Sequence, residues 1–215
     1  TTCALGTFRG YTDNKPSYIQ PVDSRTESIL AYGPLRTVVE IHDEDWQYNN
    51  QTLDLTLRYI LYGGHRDAEV AVKICSDEPI NSTFCTGLIK LDNCQTYSDH
   101  KGTAAVWGDN WPAGRKDTVG RKKEVLGMAV KIPQRNVVGE PENEENMIYL
   151  LGEKARILTK ELAFSYHIAF ASDKEEESTI HSANEWFEWV KQWNKQKPLT
   201  ISLPEKALEI VCKVE

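Results

Sequence analysis

Apolar and polar residues alternate over 53–62, with Leu53, Leu55, Leu57 and Tyr59 on one side of the chain and Asp54, Thr56 and Arg58 on the other. A period of two places these sets on opposite faces of an extended strand. Gly63-Gly64 interrupts, and alternation resumes over 68–75, where Ala68, Val70, Val72 and Ile74 oppose Glu69, Ala71 and Lys73. Two such runs about a glycine turn predict a hairpin connected by residues 63–67. The β-branched run 36–41, between Pro34 and the acidic stretch 42–45, predicts another strand. Further strands are expected at 86–91, 103–107, 125–132, 162–170, 199–203 and 208–214, about eight or nine in all. The first thirty residues hold Pro16 and Pro21 without a sustained period and read as an irregular lead-in.

The period changes over 178–196, where Ile180, Ala183, Phe187, Val190 and Asn194 fall near one face of a helix flanked by Trp186 and Trp193. Ser182 and Glu185 have capping-box spacing, and Pro198 stops the run. Residues 142–160, acidic early and basic late, suit a second helix except at Gly152. No segment repeats, so the expected fold is mainly β: one domain over 1–215, an antiparallel β-sandwich or barrel of about eight strands with one α-helix in the C-terminal half.

Charge and composition narrow the partners. The net charge of −7 opposes phosphate-backbone binding, which needs clustered lysine and arginine, so nucleic acid is not an expected partner. The most apolar stretch, 162–171, is broken by Ser165 and His167, and no membrane span is expected. A chain opening on Thr1, with neither initiator methionine nor a charged-then-apolar leader, reads as a product whose signal peptide has been removed.

Five cysteines, Cys3, Cys75, Cys85, Cys94 and Cys212, accompany two glycan acceptor sequons at Asn50 and Asn81. Three of the cysteines bracket the second sequon, a pattern of secreted, oxidised domains, so a secreted glycoprotein is expected with four of the five cysteines in disulfides. The expected pairs are Cys75 with Cys85 or Cys94, and Cys3 with Cys212, the latter because chain ends often lie close together.

Catalytic frames are scarce. There is no Gly-x-Ser-x-Gly, no Cys-x-x-Cys and no closely spaced histidine pair, so neither a catalytic residue nor a cofactor is expected. Glu40, His42 and Glu44, and likewise His65, Asp67 and Glu69, recur at strand spacing and could share a face; the second trio is the weak metal candidate, against the simpler reading of a solvated strand face. Trp107 and Trp111, in a loop rich in Gly, Asn and Pro, either anchor that loop or offer aromatic faces to a ligand. Arg115, Lys116, Arg121, Lys122 and Lys123 follow as the one concentration of positive charge, suited to a sulfated glycan or an acidic protein patch. The binding candidates are therefore these two tryptophans and five cations.

The function expected from these features is a secreted, non-catalytic binder of another extracellular protein in a host-interaction or immune-modulating role, its acidic surface suiting a basic, cytokine-like ligand. Two alternatives stand beside it: a carbohydrate-binding or carbohydrate-active protein stacking sugars on Trp107 and Trp111, and a barrel holding a small ligand.

Overall fold

The computed structural model describes residues 2–111, 122–141, 143–152, 159–176, 178–195, 200–202 and 211–213. The strands in chain order are β1 (Arg9–Thr12), β2 (Lys15–Ser17), β3 (Ser24–Ala31), β4 (Arg36–Tyr48), β5 (Gln51–Tyr62), β6 (Asp67–Cys75), β7 (Phe84–Ile89), β8 (Asp92–Ser98), β9 (Thr103–Asn110), β10 (Glu124–Lys131), β11 (Val137–Gly139), β12 (Asn146–Leu151), β13 (Glu161–Ser172), β14 (Thr200–Ser202) and β15 (Val211–Lys213); the one described α-helix, α1, is Ala183–Lys195. An eight-stranded sheet runs β3-β4-β5-β6-β13-β10-β9-β8, a five-stranded sheet runs β11-β12-β7-β1-β2, and β14 pairs with β15. Every pairing is antiparallel. The large sheet ends on β3 and β8, which do not pair, so the architecture is a sandwich rather than a closed barrel.

The hairpin expected around residue 63 forms, with Leu57 opposite Val72 and Tyr59 opposite Val70. The lead-in expected to be irregular instead contains β1, β2 and β3. Its overlooked signal is Asp13-Asn14, two residues at positive φ joining β1 to β2. Asn49-Asn50 does the same between β4 and β5. Two-residue turns with both φ values positive match the twist of a hairpin, and Asn and Asp tolerate that conformation better than other side-chain-bearing residues. The helix expected over 142–160 is corrected: β12 pairs along β7, placing Ile148 opposite Gly87, while 142 and 153–158 lie outside the described residues.

Two cores follow from the two faces of the large sheet. Its inner face sends Leu53, Leu55, Leu57, Val70, Val72, Ile74, Phe164, Tyr166, Met128 and Val130 against Phe8, Phe84, Leu88, Tyr149 and Leu151 of the small sheet. Its outer face is apolar at the β13-β10-β9 side, where Ala169, Ala129 and Ala105 lie directly opposite one another and Ala171, Gly127 and Trp107 form the next row. Such small side chains leave room for α1, which buries Ala183, Trp186, Val190 and Trp193 against them. Gly127 is required for this approach, because a Cβ there would stand 2.9 Å from the Trp186 ring. Ser182 caps the helix as its spacing predicts: its hydroxyl accepts from the Glu185 amide, and the Glu185 carboxylate accepts from the Ser182 hydroxyl and the His181 amide.

Candidate functional site

The turn between β5 and β6 carries the most chemical-looking residues, and the structure uses them to fasten α1. Arg66 donates to both carboxylate oxygens of Glu175, at 2.8 and 2.7 Å, and to Ser178 Oγ, which ties the turn to the segment leading into the helix. Asp67 faces the other end of α1. Its Oδ2 accepts from Trp193 Nε1 at 3.1 Å and lies 3.3 Å from His167 Nδ1, while Oδ1 lies 3.2 Å from His65 Nδ1. His167 foremost, then Trp193 and His65, hold the Asp67 carboxyl far below the usual carboxylate range, overcoming the opposing effect of burial. Lys131 completes the fastening: it donates to the Trp193 carbonyl at 3.1 Å and sits over the same indole at 4.8 Å, and burial pulls its ammonium below the usual lysine value.

The remainder of the outer face, over β3 to β6, is polar and open. Glu40, His42, Thr56, Arg58 and Lys73 line a groove of about 560 Å³ there. Its charges are matched pairwise: Arg58 Nε to Glu40 Oε2 at 2.6 Å and Lys73 to Glu161 at 3.1 Å, with His42 Nδ1 3.1 Å from Thr56 Oγ1. His42 Nε2 lies 3.8 Å from Glu44. Among the described residues no three His, Cys, Asp or Glu side chains converge as a metal ion requires. His65 and Asp67 are in contact, whereas Glu69, two residues further along β6, sits in register with His167.

Of the expected binding residues, the structure describes Trp107, Trp111, Lys122 and Lys123. Trp107 is 6% exposed and packs beneath α1, with no face left for a ligand. Trp111 is half-buried at the rim of an apolar opening of about 620 Å³ with Leu5, Leu126 and Met128. Lys123 is held by Asp92 at 2.7 Å and Asp109 at 3.4 Å, Lys122 is exposed, and Arg115, Lys116 and Arg121 lie outside the described residues. The expected disulfides are also corrected. Cys3, Cys75, Cys85 and Cys94 are free thiols, and the neighbour of Cys85 is Cys3, not Cys75. The side chain of Cys212 lies outside the described residues.

What the strand pattern did not reveal is an apolar surface at one end of β3, β4 and β5. Ile29, Leu30, Tyr32, Leu35, Leu61 and Tyr62 are between 45% and 89% exposed. The register gathers them: Ile29 lies opposite Val39, Leu61 opposite Thr37 and Tyr62 opposite Arg36, while the Gly63 amide donates to the Leu35 carbonyl at 3.0 Å. Gly63 permits this contact of two turns, since a Cβ there would meet Pro34 O at 2.3 Å. His65 adds its ring beside Tyr62 at 5.9 Å.

Residues 1–201 match the family described as a domain of unknown function, DUF4861. The chain belongs to this family. No curated protein matches it. A solved structure described as "Putative kojibiose phosphorylase from human microbiome" shares 11% identity over 75% of this chain and 21% of its own, with a TM-score of 0.46, so the chain spans about a fifth of that protein. No described helix is long and apolar enough to cross a membrane. For this DUF4861 member the one sequence clue to the apolar end was the occurrence of Tyr32, Leu35, Leu61 and Tyr62 beside the turn residues Gly33-Pro34 and Gly63-Gly64, where polar side chains are the norm.

Proposed function

We propose that this domain is a non-catalytic protein-binding module, acting outside the cell, that docks its partner on the apolar end of β3, β4 and β5. The observation that carries this reading is the gathering of six large apolar side chains, all at least 45% exposed, at neighbouring strand ends. Water around such a surface is released when a partner covers it, and contiguous patches of this kind mark interaction sites. Arg36, His65 and Glu27 supply a polar rim around the apolar centre, the usual anatomy of a docking face. The acidic balance of the chain favours a partner with an apolar centre and a basic surround.

The sequons support the same face. Asn50 lies in the β4–β5 turn, and the Asn81 amide donates to Gln51 Oε1 at 2.9 Å, so both acceptor asparagines sit at the end of β5 remote from Tyr62. The strand between spans roughly 40 Å at about 3.3 Å per residue, and glycans there would leave the apolar end clear.

The double variant Tyr32→Ser/Leu35→Lys tests the proposal. Both side chains are more than 80% exposed, so the variant should melt within about 1 °C of the parent. Proteins retained from extracellular fluid by the immobilised parent should be bound at least about tenfold more weakly by the variant. Equal retention by the two, or turnover of an oligosaccharide library by the parent, would refute the binding role. Sedimentation of the parent as a dimer and of the variant as a monomer would show that the face is taken by a second copy instead.

A further inference from the structure

We propose that Cys3 and Cys85 are a dithiol pair that closes to a disulfide under an oxidising thiol–disulfide poise, stapling the segment before β1 onto β7. This stands apart from the docking face. Both side chains are fully buried and pack with Ile148 in one small cluster, where the Cys85 thiol donates to the Gly10 carbonyl at 3.4 Å. The backbone is already arranged around them: Arg9 of β1 lies opposite Cys85, Leu5 bridges to Leu88, the Gly6 amide donates to the Gly87 carbonyl at 2.8 Å, and the Cys3 amide donates to Asn146 Oδ1 at 2.8 Å. Cys75 and Cys94, by contrast, are only partly buried and have Glu161 and the Gln95 carbonyl as their sulfur contacts.

The two thiols have different chemistry. The neighbouring Cys85 side chain, reinforced by Arg9, pulls the Cys3 thiol below its ordinary value, while the proximity of Cys3 and burial push Cys85 up. Cys3 lies on the short segment before β1 while Cys85 lies within β7, so opening of that segment brings the Cys3 thiol to the oxidant first. With a low-molecular-weight disulfide as oxidant, the Cys3 sulfur attacks one of its sulfurs, forming a mixed disulfide and expelling one small thiolate. Cys85 loses its proton to that thiolate and attacks the Cys3 sulfur, expelling the second small thiolate, which takes up the proton that Cys3 released. The balance is two protein thiols and one small disulfide converted to one protein disulfide and two small thiols. Access comes from opening of the segment before β1, whose few backbone bonds hold it to the small sheet, or during folding before that segment docks.

The test uses the full chain, incubated and also refolded across a series of ratios of reduced to oxidised glutathione, then acid-quenched, alkylated and digested without reduction. The expected result is a cross-linked Cys3–Cys85 peptide at oxidising ratios, and a melting midpoint higher by about 10 °C than that of the reduced protein, because the bond closes a loop of roughly 80 residues. Dithiothreitol should reverse both changes. The parent alone gives this readout, so it survives any folding defect of Cys85→Ala, in which the shift should vanish. Recovery of Cys3 and Cys85 as separately alkylated peptides at every ratio would overturn the pair, as would linkage of Cys3 to Cys212 or of Cys85 to Cys75.

Discussion

Trp186→Ala should lower the unfolding free energy by about 3–5 kcal/mol, the cost of emptying a fully buried tryptophan site. Trp186 is the plug between helix and sheet: it covers Gly127 and stacks on Trp189 at 5.1 Å, which stacks in turn on Trp193 at 5.4 Å. Removing it leaves a void over a row of alanines and glycine whose short side chains cannot close it. Trp186→Phe should be far milder, within about 1.5 kcal/mol, because the Trp186 Nε1 is buried without an acceptor among the described residues and its loss offsets part of the lost area. Urea titrations followed by far-ultraviolet circular dichroism would measure both. An alanine variant within about 1 kcal/mol of the parent would mean that the helix does not depend on this contact.

Asp67→Asn should cost about 2 kcal/mol at neutral pH, and the cost should fade with acid. Its carboxylate serves Trp193, His167 and His65 together, and only 17% of the side chain is exposed, so screening by water removes little of the effect. The carboxyl titrates lower in the folded chain than in the unfolded one. The folded state therefore gains stability from this group at every pH above the unfolded value of about 3.9, and loses it as the pH falls from there through the folded value. Melting curves of parent and variant should thus be separated by a constant gap above about pH 5 and converge below about pH 4. A gap unchanged down to pH 2.5 would show that the charge on Asp67 plays no part in holding the helix end.

These two residues mark where the sequence stopped being readable. The hairpin of β5 and β6 and the capped amphipathic run of α1 were legible because each is encoded by a local period and local punctuation. The strand of residues 146–151 was not, because an acidic-then-basic stretch satisfies a helix dipole equally well, and only pairing with β7 decides for extended backbone. His65, Asp67 and Glu69 looked like a ligand set since they recur at strand spacing. Their partners, Trp193 and His167, are more than 90 positions away in the chain, and no local pattern records that.

The binding segment shows the same divide. Trp107 and Trp111 are four residues apart, yet one lies under the helix and the other at an apolar rim, because Trp107 points to the helix-bearing face of β9. Ile29, Leu30, Tyr32, Leu35, Leu61 and Tyr62 belong to two separate stretches that looked like ordinary strand and turn residues. Their register across β3, β4 and β5 brings them to one end of the sheet.

The sequence by itself determined a mainly β, antiparallel chain with a late helix, since side-chain periodicity and turn residues act within a few positions of one another. Tertiary structure alone decided which cysteines meet, which tryptophans are buried and where apolar surface stays uncovered. Those outcomes depend on contacts between distant segments, whose free energy is set by how sheets and helix pack and not by any neighbour in the chain.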